Sequence, residues 1–76
     1  MEPIKIVTVR SERLALSTCD GLEENFDGSF FAVQRPAGAL DWKILLTSCQ
    51  RQPSERLLSA MQQFALGYIT ALRKHT

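Results

Sequence analysis

The sequence is short of almost everything from which a catalytic or metal-binding reading is usually built. Its one histidine, His75, stands beside the last residue, and its two cysteines, Cys19 and Cys49, are far apart with no paired spacing. A zinc site needs Cys or His ligands in close pairs, so none is expected. A cysteine nucleophile needs a base within hydrogen-bond reach, and the only imidazole sits next to Lys74 at the chain end. Gly21, Gly28 and Gly38 are isolated, which excludes the glycine-rich loops that cradle phosphates. The acidic residues Asp20, Glu23, Glu24 and Asp27 lack the alternating ligand spacing and closing glutamate of a calcium loop. No cofactor, no metal, no small-molecule substrate and no enzymatic activity are therefore expected.

Charge of one sign is also missing. Nine basic residues against eight acidic ones leave a net charge of +1, too little for a long-range field that gathers nucleic acid or anionic lipid. Long apolar runs are absent too: the longest helical candidate is broken by Gln62, Gln63, Arg73 and Lys74, short of the roughly 18 apolar residues of a membrane span. The start, Met1 to Ile6, has neither the basic head nor the apolar stretch of a secretory signal. The expectation is a cytoplasmic protein with both thiols reduced. In an oxidising compartment the two could instead pair.

What is present describes a folded unit. An apolar fraction of 45% with 22% charged residues is the composition of a globular chain rather than a disordered one. There is no repeat and no linker, so 1–76 reads as a single domain. A chain of this length buries only about 60% of its unfolded surface, and a partner would add to a small core.

Ile4 to Val9 is β-branched nearly throughout, with Pro3 at its mouth suiting an edge strand. Phe30 to Gln34 and Trp42 to Thr47 are two further strands, joined as a hairpin through Arg35 to Asp41. Ser11 to Leu22 matches two patterns. Leu14, Ala15, Thr18, Cys19 and Leu22 make a helical stripe, while Leu14, Leu16 and Thr18 alternate as a strand. The weak helix formers Thr18 and Cys19 and the turn signal Asp20-Gly21 favour the strand. Glu23 to Gly28 then reads as a polar loop with Phe26 tucked beneath it.

The last element is a helix opened by Pro53 in its first turn. Leu57, Leu58, Met61, Phe64, Ala65, Tyr68 and Leu72 fall in one arc, opposite Arg56, Ser59, Gln63, Thr70 and Lys74. The expected fold is thus α+β: an antiparallel β-meander of three to four strands (about 3–9, 13–19, 29–35 and 41–48) with one long C-terminal amphipathic helix (about 53–74) packed on one face.

Two features exceed what such a fold needs. The strands are apolar on both faces, with Ile4 and Ile6 against Val7 and Val9, Phe30 against Phe31, and Leu45 against Ile44 and Leu46; one helix covers one face, so the other calls for a cover. A helix of about 33 Å also outruns a four-stranded sheet of about 19 Å, leaving Tyr68, Ile69 and Leu72 overhanging with Leu66 projecting from the polar side. Ala60, Gly67 and Ala71 add a small-residue stripe, with Gly67 either serving a helix contact or clearing Trp42.

No segment carries a motif specific to a known family. The expected function is a small non-enzymatic protein-protein interaction module, an adaptor, inhibitor or regulator of bacterial or phage size, forming a homodimer or binding another protein through an apolar sheet face or helix end. Its candidate contact residues are Phe30, Leu66, Tyr68, Ile69 and Leu72. The alternative is a nucleic-acid binder using Arg13, Arg35 and Lys43 on a sheet face with Phe30 or Trp42 as stacking platforms. Its basic excess is small.

Overall fold

In the computed structural model, which describes residues 2–74, the order of elements is β1 (Ile4–Val9), α1 (Glu12–Asn25), β2 (Ser29–Gln34), β3 (Trp42–Cys49) and α2 (Glu55–Lys74). The expected strand at 13–19 is therefore a helix, and so is the first half of the expected loop from Glu23. Local and tertiary causes agree on this correction. Ser11 has extended backbone angles and its side chain accepts a hydrogen bond from the Leu14 N–H at 3.3 Å, an N-cap placed just ahead of Glu12. The helical stripe Ala15, Thr18, Cys19 and Leu22 is buried, while Leu16, on the strand pattern, is 52% exposed. Thr18 and Cys19 are poor helix formers by a few tenths of a kcal/mol each, and burying Leu22 alone contributes roughly 1.5–3 kcal/mol, which outweighs that cost.

Gly21 has a different purpose from a turn. A Cβ there would stand 3.0 Å from two ring carbons of Tyr68, so glycine lets α1 and α2 approach closely at this point. Around it Phe26, which caps the C-terminus of α1, meets Phe64 edge-on with ring centres 5.8 Å apart, and Phe64 stacks on Tyr68 at 5.7 Å. Phe26 thus joins the two helices rather than filling a loop.

The sheet is three-stranded with order β1-β3-β2, and β3 is antiparallel to both neighbours. This is not a meander. The hairpin β2-β3 forms as expected, its loop closed by Ala39 N–H to the Pro36 carbonyl at 3.0 Å with Gly38 at φ +82°. β1, however, pairs with β3 from the far side, so β1, α1 and β2 make a split β-α-β unit with β3 inserted between parallel strands.

Both helices contribute to one buried cluster. Ile6, Val9, Phe31, Ile44 and Leu46 from the sheet meet Ala15, Cys19 and Leu22 of α1 and Met61, Ala65 and Ile69 of α2. α2 packs on α1 and on β1 instead of crossing the whole sheet. It starts two residues later than expected, at Glu55: Ser54 is the cap, its Oγ accepting from Leu57 N–H at 3.1 Å, and Pro53 precedes it. The buried row of α2 is Met61, Ala65 and Ile69, with Leu57, Phe64 and Tyr68 along the flank toward α1.

The two mid-helix glycines differ in surroundings, and substitution separates them. Gly67→Ala, where a Cβ meets nothing within 4 Å, is expected to raise the urea midpoint by an amount equivalent to about 1 kcal/mol. Gly21→Ala forces the Tyr68 ring aside and is expected to lower it; equal gains at both positions would contradict the close helix contact.

Candidate partner-binding surfaces

A sheet whose helices lie on one side leaves the other side open, and the register decides what stands there. In the β1-β3 ladder, Ile4 faces Leu46 and Lys5 faces Leu45, but Val7 faces Ile44, so Ile6 is an inserted residue. This bulge turns Ile4, Ile6, Val7 and Val9 all toward the core and leaves Lys5 and Thr8 on the open side. The two-faced apolar character expected for β1 is therefore not realised. A second irregularity between Phe30 and Phe31 passes over Thr47 of β3, whose hydroxyl donates to the Phe30 carbonyl at 3.0 Å.

The open face consequently reads, from β1 across β3 to β2, as Thr8, Lys43 and Gln34 in one row, then Lys5, Leu45 and Ala32, then Ser48 and Phe30 with the passed-over Thr47 beside them. Phe30 is 59% exposed. Leu45 and Ala32 lie beside it and take no part in the core cluster. None of the paired strand residues of this face is a carboxylate; Asp41, just beyond Lys43, pairs with Arg10 at 3.8 Å, and among the described residues neither Lys5 nor Lys43 is in an ion pair.

The expected helix-end surface is dispersed. Ile69 is 5% exposed and belongs to the core, because α2 runs along α1 and β1 and carries the core further than a helix laid across the sheet would. Tyr68 is half-buried on Gly21 and Phe64. Leu72 is half-buried beyond the core, and Leu66 is 56% exposed among polar neighbours, with Thr70 bonded to its carbonyl. Of the candidate contact residues, Phe30 is the one on the open sheet face, whereas Tyr68 belongs to the half-buried Phe26, Phe64 and Tyr68 ring cluster of the helices. Gly67 clears nothing, Trp42 included.

The cations of the nucleic-acid alternative are likewise separated. Arg13 is on α1, and Arg35 lies over the Trp42 ring at 4.9 Å. Trp42 packs against the core, so it offers no stacking plane on the open face. Lys43 is there, together with Lys5, which the sequence reading missed for want of the bulge.

Away from the sheet face, Glu23 is engaged, accepting from the Phe31 N–H at 2.9 Å. That bond blunts part of the β2 edge. Among the described residues no group of His, Cys, Asp or Glu is arranged to hold a metal ion, and His75 lies outside them. No helix of the described residues is long and apolar enough to cross a membrane.

The two thiols are free and unalike. Cys19 is pushed up to about 11, first by burial and then by Glu23 and Asp20. Cys49 is held below the ordinary thiol range by the Ser29 hydroxyl, 3.4 Å from Sγ, and by the backbone N–H groups of Arg51 and Gln50. Ser29 and Cys49 border an open cleft of about 280 Å³ with Phe26, Asp27, Arg51 and Leu57, a little under the roughly 300–1,000 Å³ of small-molecule sites. Compared with protein-family models, with curated proteins and with solved structures, the chain finds no match.

Iodoacetamide is expected to label Cys49 in the native protein, with a rate-pH profile shifted toward lower pH and restored upward by Ser29→Ala. Cys19 should react only on unfolding, and equal labelling of both thiols would contradict the assignment. Because the folded state holds the Cys19 proton more tightly than the unfolded chain, that contribution is intact below the ordinary thiol pKa and is lost as pH rises toward about 11. Urea midpoints of the wild type should accordingly fall across that window more steeply than those of Cys19→Ala.

Proposed function

We propose that this chain is a small non-enzymatic interaction module that acts by docking another protein on the open face of its sheet. The single observation that carries the reading is Phe30, 59% exposed beside Leu45 and Ala32 on a face that neither helix covers. A solvent-facing aromatic in contact with further apolar side chains is the usual anchor of an interface, whereas scattered exposed apolar residues are ordinary surface. Leu16, Leu40 and Leu66, the other exposed large apolar side chains among the described residues, lie outside the strands, on α1, the hairpin loop and α2.

A module of this type needs a rigid platform more than a deep pocket. β3 supplies it, with Ile44 and Leu46 fully buried behind the face and both neighbouring strands paired to it. Side chains at 43 and 45 are thereby held at fixed spacing along one strand.

Selection of random peptides displayed on phage against the immobilised wild-type protein tests the reading. Binders are expected to weaken by about tenfold or more on Phe30→Ser plus Leu45→Ser, a variant whose far-ultraviolet circular dichroism should be unchanged because both residues lie outside the core cluster. Peptides that bind wild type and variant alike would place docking elsewhere and remove the reading.

A further inference from the structure

We infer that the occupant of the open face is a short acidic, amphipathic segment of another protein; this inference rests on the docking reading above and adds the chemistry of what docks. Three observations combine. The first is charge: among the paired strand residues of this face the charged side chains are Lys5 and Lys43, neither in an ion pair among the described residues, and the one carboxylate at its margin, Asp41, is already engaged by Arg10 at 3.8 Å. A fitting partner brings carboxylates. Such complementarity sets register and encounter rate, while like charges brought together across an interface oppose binding.

The second is layout. Lys5 is directly opposite Leu45, and Lys43 is the preceding same-face residue of β3. Lys5 therefore flanks Leu45 from β1 and Lys43 precedes it along β3, while Ala32 flanks it from β2 with Phe30 on the diagonal. The face is divided along its diagonal into a cationic half and an apolar half. A segment with leucine- or phenylalanine-type side chains on one side and Asp or Glu on the other matches both halves at once. Thr8, Gln34 and Thr47 at the margins provide polar groups.

The third is size. Three strands about 4.8 Å apart, with about six residues each at roughly 3.3 Å, give a face of about 300 Å², against about 800 Å² per partner for a stable protein-protein complex. That area is too small for a face-to-face homodimer to hold by itself. A single strand of nucleic acid fits less well, because Leu45 and Ala32 offer no stacking plane, Trp42 is turned toward the core, and Arg13 and Arg35 are elsewhere. A short extended or helical peptide suits the area.

The probe is the set of peptides recovered from the random phage library, resynthesised and titrated by fluorescence anisotropy, together with each peptide's Glu→Gln and Asp→Asn form. The expected result is enrichment of Asp and Glu among large apolar residues, loss of about tenfold or more in affinity on Lys5→Glu plus Lys43→Glu, and weakening with added salt. The charge-reversed protein should in turn select Lys- and Arg-bearing peptides. Lys43→Gln, a milder change, should give a smaller loss in the same direction.

Peptides that need Phe30 and Leu45 yet carry no acidic residues, and are indifferent to both lysines, would overturn the acidic occupant and leave the docking reading standing. Peptides indifferent to Phe30 would overturn both. Binding of a fluorescent oligothymidylate that is lost on Phe30→Ser would assign the face to nucleic acid instead. A wild-type dimer by light scattering that becomes monomeric on Phe30→Ser would assign it to a second copy.

Discussion

Between Lys5 and Val7 the first strand slips by one residue against β3, and the character of the whole sheet follows from that slip. A regular strand sends alternate residues to opposite faces; without the insertion, Val7 and Val9 would point away from Ile4 and Ile6. With it, Ile4, Ile6, Val7 and Val9 all reach the core, and the open side receives Lys5 and Thr8. One face becomes apolar enough to bind two helices. The other retains a limited patch around Phe30, set among groups that water tolerates.

That division explains why two helices are needed and why they contact each other. The core face spans three strands, and α2 reaches only its β1 side, so α1 covers β2 and the centre. The helices close the layer through Gly21 on Tyr68 and through the Phe26, Phe64 and Tyr68 rings. Glu23, on the last turns of α1, then bonds the Phe31 N–H, tying the crossover helix to the strand it leads into. A split β-α-β unit followed by a hairpin strand and a second helix is thus stabilised at each join by a local contact.

The surfaces that remain carry distinct chemistry. The open face combines an exposed aromatic with lysines that, among the described residues, are in no ion pair. The thiols are separated by environment rather than by distance along the chain: burial and neighbouring carboxylates keep Cys19 protonated, whereas a hydroxyl and backbone N–H groups at the end of β3 favour the Cys49 thiolate.

Much of the architecture was legible from residues alone. The β-branched run at Ile4 to Val9, the apolar run at Trp42 to Thr47, the Pro36 and Gly38 turn, and the long 3.6-residue period after Ser54 are local signals, and each produced its element. The segment 11–22 carried both periods, and its short-range propensities pointed the wrong way; burial of Ala15, Thr18, Cys19 and Leu22 against β2, β3 and α2 decided for helix. Gly21 looked like a turn because a glycine needed for a close approach is indistinguishable, in sequence, from one needed for backbone freedom. Phe30 could be named in advance as a surface candidate, since adjacent phenylalanines on one strand must face opposite ways. Its neighbours could not. Which side chains join Phe30 depends on pairing across β3 and on the inserted Ile6, and Ile69 passed from surface to core because α2 lies along α1. The chain by itself determined its local elements, where neighbouring residues suffice; the tertiary structure alone decided faces and partners, because register and helix direction are set by contacts between residues distant in sequence.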